Sequence, residues 1–252
     1  MFAEKIVFPE LTSDSWMGGT RHRFKFEGHE AWLVEPPDPA PGNRWFAVPE
    51  WPLAYPCRNG VKELLALGCY MVHVNLLGWY ANEEALSVMY SYYRWLREDL
   101  HFAPKGAFIG MSLGGLYSFR FAETHPECAA CIYADAPVAS LDFGIRRDGL
   151  SSRVEGIMKA YGLGKPEELV NHPLSPVNHF SAMVKADIPI LMILGLDDNV
   201  VNHSTNGSLL AERYTAAGGR VKVIGRESWG HHPHGLDDTA PIVNFILRST
   251  GM

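Results

Sequence analysis

Along most of the chain, short apolar runs alternate with stretches of helical periodicity, and this alternation restricts the fold more than any other feature. The runs cover residues 45–48, 70–74, 107–109, 130–134, 190–194 and 221–224. They are apolar throughout, not alternately apolar and polar, so both faces of each strand require cover. The intervening stretches supply it. Residues 61–67 carry Val61, Leu64 and Leu65 on one face, residues 83–100 repeat apolar side chains at helical spacing, and 113–123, 203–217 and 238–248 complete the set. Strands alternating with helices predict a mostly parallel central sheet with helices on both faces. Residues 22–27 and 30–35 alternate with a period of two around Gly28-His29, which predicts an antiparallel N-terminal hairpin at one edge.

A chain of 252 residues suits one such domain, 1–252. The segment 138–181 breaks the rhythm. It is rich in Gly, Pro, Ser and Asn, holds one modest helical pattern near 153–161, and reads equally as a short lid insertion or an irregular surface connection. The formal net charge of -6 disfavours nucleic acid and anionic membrane as partners, since both demand a basic surface. No apolar run approaches the length of a membrane span, and the opening residues MFAEKIVFPE lack the apolar core of a secretion signal, so a cytoplasmic location is expected. Of Cys57, Cys69, Cys128 and Cys131, the last two have redox or zinc spacing. They lead directly into an apolar run and have no second pair, so they read as packed thiols.

Residues 107–115 read Ala-Phe-Ile-Gly-Met-Ser-Leu-Gly-Gly, which places Gly110-x-Ser112-x-Gly114 between an apolar run and a helical pattern. A serine on a sharp strand-to-helix turn exposes its Oγ, and flanking glycines let the two elements approach. The N-terminal end of the following helix then faces the position where an oxyanion develops. Serine alone is a poor nucleophile and needs a base oriented by a third group. On this kind of turn the acid follows in the chain and the histidine comes last.

The run 190–195 ends at Gly195 and is followed by Leu196-Asp197-Asp198. Asp198 is the expected acid, with Asp197 bracing the turn and Asp135, after another strand, a rival. Past the last apolar run, Trp229-Gly230-His231-His232-Pro233-His234 offers His231 as the base. His232 and His234 remain as pocket-lining or fallback imidazoles. A zinc site is not expected, because one loop rarely supplies a tetrahedral set and no matching ligand cluster stands elsewhere.

In order and spacing, Gly110-Met111-Ser112-Leu113-Gly114-Gly115, Gly195-Leu196-Asp197-Asp198 and Gly230-His231-His232-Pro233-His234 resemble the α/β-hydrolase superfamily over nearly the whole chain. More narrowly, Ile132–Val138 and the histidine loop look like a little-characterised bacterial esterase branch near the dienelactone-hydrolase-like enzymes. The resemblance implies a Ser112–His231–Asp198 triad that cleaves a carboxylic ester without a cofactor. It also implies Leu113 N–H as first oxyanion donor. The His-Gly-Gly-Gly oxyanion loop of lipases is absent, and the corresponding loop is Val48-Pro49-Glu50-Trp51-Pro52. Neither proline has an N–H, so the second donor falls to Glu50 or Trp51. Trp51, Trp79, Tyr80 and His232 are expected to contact substrate, which reads as a small or carbohydrate-borne ester. Two other readings stay open: a non-hydrolytic member of the fold (lyase or perhydrolase), and a binding protein that keeps the triad. A homo-oligomer is also left open.

Overall fold

A computed structural model describes residues 11–145 and 152–251. The residues on which the expected lack of a secretion signal rests, 1–10, lie outside it, as do 146–151 of the irregular segment. The described chain forms one nine-stranded sheet in the order β1-β2-β3-β5-β4-β6-β7-β8-β9. The strands are β1 Thr12–Trp16, β2 Gly19–Phe26, β3 His29–Glu35, β4 Trp45–Ala47, β5 Tyr70–Val74, β6 Gly106–Met111, β7 Ala129–Asp135, β8 Ile190–Gly195 and β9 Val221–Arg226. From β5 to β9 every pairing is parallel, and β1 to β3 add antiparallel strands at one edge. The apolar runs thus became the parallel strands. The hairpin turns at Glu27 and Gly28 with φ of 49° and 84°, the paired left-handed residues that match strand twist. β1 has no counterpart in the sequence reading. Its residues, Thr-Ser-Asp-Ser-Trp, are largely exposed at the sheet edge, so its order comes from backbone pairing to β2 and leaves no apolar signature.

Helices are α1 Val61–Ala66, α2 Glu83–Glu98, α3 Leu113–Thr124, α4 Ser152–Tyr161, α5 Ser181–Lys185, α6 Gly207–Ala216 and α7 Ala240–Thr250. They cover both faces. α1 and α7 bury Val61, Leu64, Leu65, Ile242 and Ile246 against one side of the strands, while α2, α3 and α6 pack on the other. Each buried aliphatic or aromatic side chain contributes about 1.5–3 kcal/mol, so a strand buried on both faces gains from every residue.

The helix expected from residue 203 starts at Gly207. Asn206 stops its backward extension. Its Oδ1 accepts from Ala139 and Ser140 N–H at 2.9 Å each, and the backbone there leaves the helical region. α5 was not foreseen, because its first-turn N–H groups are capped from afar: buried Glu123 accepts from Ala182 and Met183 N–H. The start of the irregular segment belongs to the core, with Val138, Ala139 and Leu141 fully buried. Among the described residues no helix is long and apolar enough to cross a membrane. All four cysteines are free, and only Cys57 is exposed; burial pushes the Cys128 thiol up to about 11 and the Cys131 thiol to about 12, consistent with packed thiols.

Candidate active site

The C-terminal ends of the parallel strands deliver the polar residues to one edge of the sheet. Ser112 follows β6, Asp135 closes β7, Asp198 follows β8, and the loop 229–234 follows β9. Ser112 sits at φ 48°, ψ -118°, a left-handed geometry that a serine adopts only under constraint. Neighbouring strand ends impose it: Ser112 N–H donates to Asp135 O, and Val138 N–H donates to Ser112 O, both at 2.9 Å. Gly110 is required at the turn, since a Cβ there would stand 2.8 Å from Gly114 O and 2.9 Å from Gly115 Cα. The second glycine the turn requires is Gly115, where a Cβ would meet Pro137 Cβ at 2.4 Å. At Gly114 the nearest atom would be 3.5 Å away, an ordinary contact.

Ser112 Oγ lies 3.0 Å from His231 Nε2, and His231 Nδ1 lies 2.7 Å from Asp198 Oδ2. A carboxylate only accepts, so Nδ1 carries the proton and Nε2 faces the hydroxyl as acceptor. The other oxygen of Asp198 accepts from Val200 and Val201 N–H at 2.8 and 2.9 Å. Burial raises the Asp198 carboxyl, but the bonds from His231 and the two amides outweigh it and hold it below the usual carboxylate range. Asp197 is exposed; its backbone N–H donates to Trp229 O at 3.0 Å, tying the acid turn to the histidine loop.

Asp135 is engaged elsewhere. Its Oδ1 lies 2.6 Å from His234 Nδ1, and its Oδ2 accepts from Gly235 N–H at 2.8 Å and from the Tyr133 hydroxyl at 3.2 Å. The site therefore holds two buried Asp–His pairs side by side, with the His231 and His234 rings 4.9 Å apart. Arg58 and Arg226 fix the loop from behind, donating to His234 O at 2.8 Å and to Gly235 O at 2.7 Å. His232 is exposed and stacks on Tyr55 at 5.9 Å; desolvation, with His231 and His234 nearby, lowers its ring below the ordinary histidine value.

Ligand atoms of His231, His232 and His234 lie within 4.8 Å of one another. The Nδ1 atoms of His231 and His234 are committed to carboxylates, so an ion would have to take Nε2 of His231 from Ser112. Metal binding and the serine–histidine contact thus exclude each other.

Ser112 opens into a cavity of about 610 Å³ whose wall includes Trp51, Tyr55, Tyr80, Leu113, Phe143 and Arg153. Of the residues expected to contact substrate, Trp51, Tyr80 and His232 line this cavity. Trp79 does not; it packs edge-on against His29 at 5.1 Å and on the core. Tyr55, Phe143 and Arg153 were not singled out in the sequence, since nothing local marks residues that meet only across strand ends. Leu113 N–H, at the first position of α3, has no intrahelical acceptor. The loop 48–52 runs past α3, with Glu50 N only 3.6 Å from where a Gly114 Cβ would stand. The Glu50 side chain is 2% exposed and turns to a neighbouring groove with Trp32, His73 and Asn75; its Oε1 has no hydrogen-bond partner. Burial pushes its carboxyl up to about 8, against a bond with Tyr117 that lowers it.

No protein-family model matches the sequence, and no curated protein matches it. Solved structures do. Carboxyl esterase 2 of Tuber melanosporum superposes with a TM-score of 0.64 at 15% identity, covering 98% of this chain and 87% of that one. S-formylglutathione hydrolase of Agrobacterium tumefaciens gives 0.59 at 18% identity, covering 94% and 96%. Acylaminoacyl peptidase of Pyrococcus horikoshii gives 0.64 at 16% identity, covering 91% of this chain; this chain spans only 39% of that one. The fold they share with this chain is the α/β-hydrolase fold.

Proposed function

We propose that this α/β-hydrolase-fold protein is a serine hydrolase that cleaves small carboxylic esters through an acyl-enzyme. The observation that carries this reading is the continuous contact from Ser112 Oγ through His231 to Asp198, 3.0 and 2.7 Å, at a strained strand-to-helix turn. Ser112 Oγ attacks the ester carbonyl while His231 Nε2 takes its proton. The carbonyl oxygen becomes an oxyanion facing Leu113 N–H and an N–H of Glu50 or Trp51. The C–O bond then breaks, and His231 returns the proton to the departing alkoxide. Water, deprotonated by the same nitrogen, attacks the acyl carbon; Ser112 regains its proton and the carboxylic acid leaves. Asp198 keeps the imidazole in one tautomer and stabilises its protonated form. No step calls for a cofactor.

Likeness over nearly the full length of a carboxyl esterase and of S-formylglutathione hydrolase supports an ester or thioester substrate. The cavity and its aromatic wall suit a small acyl group or a stacked sugar face. A fluorophosphonate probe and a panel of p-nitrophenyl and sugar acetate esters test the reading. Wild type is expected to be labelled and to turn over esters, and Ser112→Ala to do neither. Hydrolysis surviving in Ser112→Ala would overturn it, and a folded wild type that takes no label would favour a binding protein.

A further inference from the structure

The wall of the Ser112 cavity is uneven in charge. Among its described residues Arg153 alone carries a formal charge; the rest are aromatic, aliphatic or imidazole side chains with Ser112 itself. The carboxylates behind Ser112 are engaged elsewhere. Asp198 and Asp135 are 5% and 0% exposed, lie behind the imidazoles, and are saturated by His231, His234, Tyr133 and backbone N–H groups. Glu50 faces the neighbouring groove, where burial keeps it protonated through neutral pH. Arg153 is exposed near the start of α4, its guanidinium 5.6 Å from the Phe143 ring. It makes no ion pair with a carboxylate among the described residues, whereas Arg21, Arg58, Arg94, Arg220 and Arg226 do. In a chain of net charge -6, a cation with no carboxylate partner among the described residues thus shares the cavity wall with the nucleophile.

We infer that the substrate is an ester carrying a free carboxylate, seated on Arg153 while its carbonyl lies at Ser112. This rests on the hydrolase reading above and names the substrate class for that site. A single planar guanidinium matches one carboxylate through two parallel N–H···O bonds. A phosphate dianion would call for a second cation, which the described wall lacks. The Phe143 ring, 5.6 Å from the guanidinium carbon, offers a cation–π contact that takes up none of its N–H donors.

The test compares p-nitrophenyl hexanoate with the mono-p-nitrophenyl ester of adipic acid, which differ by the terminal carboxylate, after subtraction of spontaneous hydrolysis. Wild type is expected to favour the half-ester by about tenfold or more in kcat/KM, chiefly through KM, and added salt is expected to shrink that preference. Arg153→Ala is expected to cut the ratio of the two kcat/KM values about tenfold, Arg153→Lys to keep part of it, and Arg153→Glu to invert it. Equal kcat/KM for both esters in wild type, or an undiminished ratio in Arg153→Ala, would overturn the inference. Calorimetric binding of both esters to Ser112→Ala repeats the comparison without turnover, so a wild type that hydrolyses neither ester would count against the hydrolase reading while this one is still decided.

Discussion

At the scale of single residues, the two Asp–His pairs look alike, and their positions separate their roles. Asp198 backs the imidazole that touches Ser112, and Asp135 backs one that does not. Asp198→Asn is therefore expected to lower kcat by about 10³–10⁴-fold with the fold intact, because the wrong tautomer would face Ser112. Asp135→Asn is expected to act on stability instead, costing about 3 kcal/mol by unpairing a buried His234 and the nearby Arg226 guanidinium, 3.9 Å away. Steady-state kinetics and urea denaturation of both variants check this, and the opposite pattern would exchange the roles. Glu50 gives a second prediction. Burial pushes its carboxyl up to about 8 in the fold from 4.5 in the unfolded chain, so the folded state binds the extra proton between those limits and stability falls as pH rises through them. Glu50→Gln is expected to melt several degrees above wild type at pH 8.5 and to lose that advantage at pH 5. Equal differences at both pH values would show that the carboxyl is not held protonated.

Elements impose constraints that no residue shows alone. The turn between β6 and α3 leaves no room for a side chain at Gly115, where Pro137 presses from the end of β7. Gly115→Ala is expected to cost about 1–3 kcal/mol in urea denaturation and to weaken fluorophosphonate labelling of Ser112. Gly114→Ala is expected to cost less, since its Cβ would meet nothing closer than 3.5 Å. In the loop 229–234, ligand atoms of three imidazoles lie within 4.8 Å of one another, close enough to converge on a borderline-soft ion. Micromolar zinc is expected to block labelling of Ser112, EDTA to restore it, and His232→Ala to raise the required zinc concentration about tenfold. Labelling that persists at millimolar zinc would show that the rings cannot converge on an ion.

Over the whole molecule, the sheet divides the interior into two cores and holds the strand ends in register. Phe108, fully buried against Trp45, Tyr93 and Phe121, ties β6 to β4, α2 and α3. Phe108→Ala is expected to cost about 3–5 kcal/mol, read by urea denaturation, and to reduce activity only as far as the folded fraction falls. What the amino-acid sequence determined by itself was whatever has a local physical signature. Strands buried on both faces must be continuously apolar, helices must repeat their apolar face, and a serine forced into a sharp turn must have glycine nearby. The sheet, its hairpin and the Ser112 turn were legible for these reasons. Tertiary structure alone decided which carboxylate meets which imidazole, that Trp79 leaves the cavity while Tyr55, Phe143 and Arg153 enter it, and that Gly115 rather than Gly114 is the second glycine the turn requires. Those facts depend on distances between the ends of strands far apart in the chain, and such distances are set by twist, register and packing, which no short stretch of residues encodes.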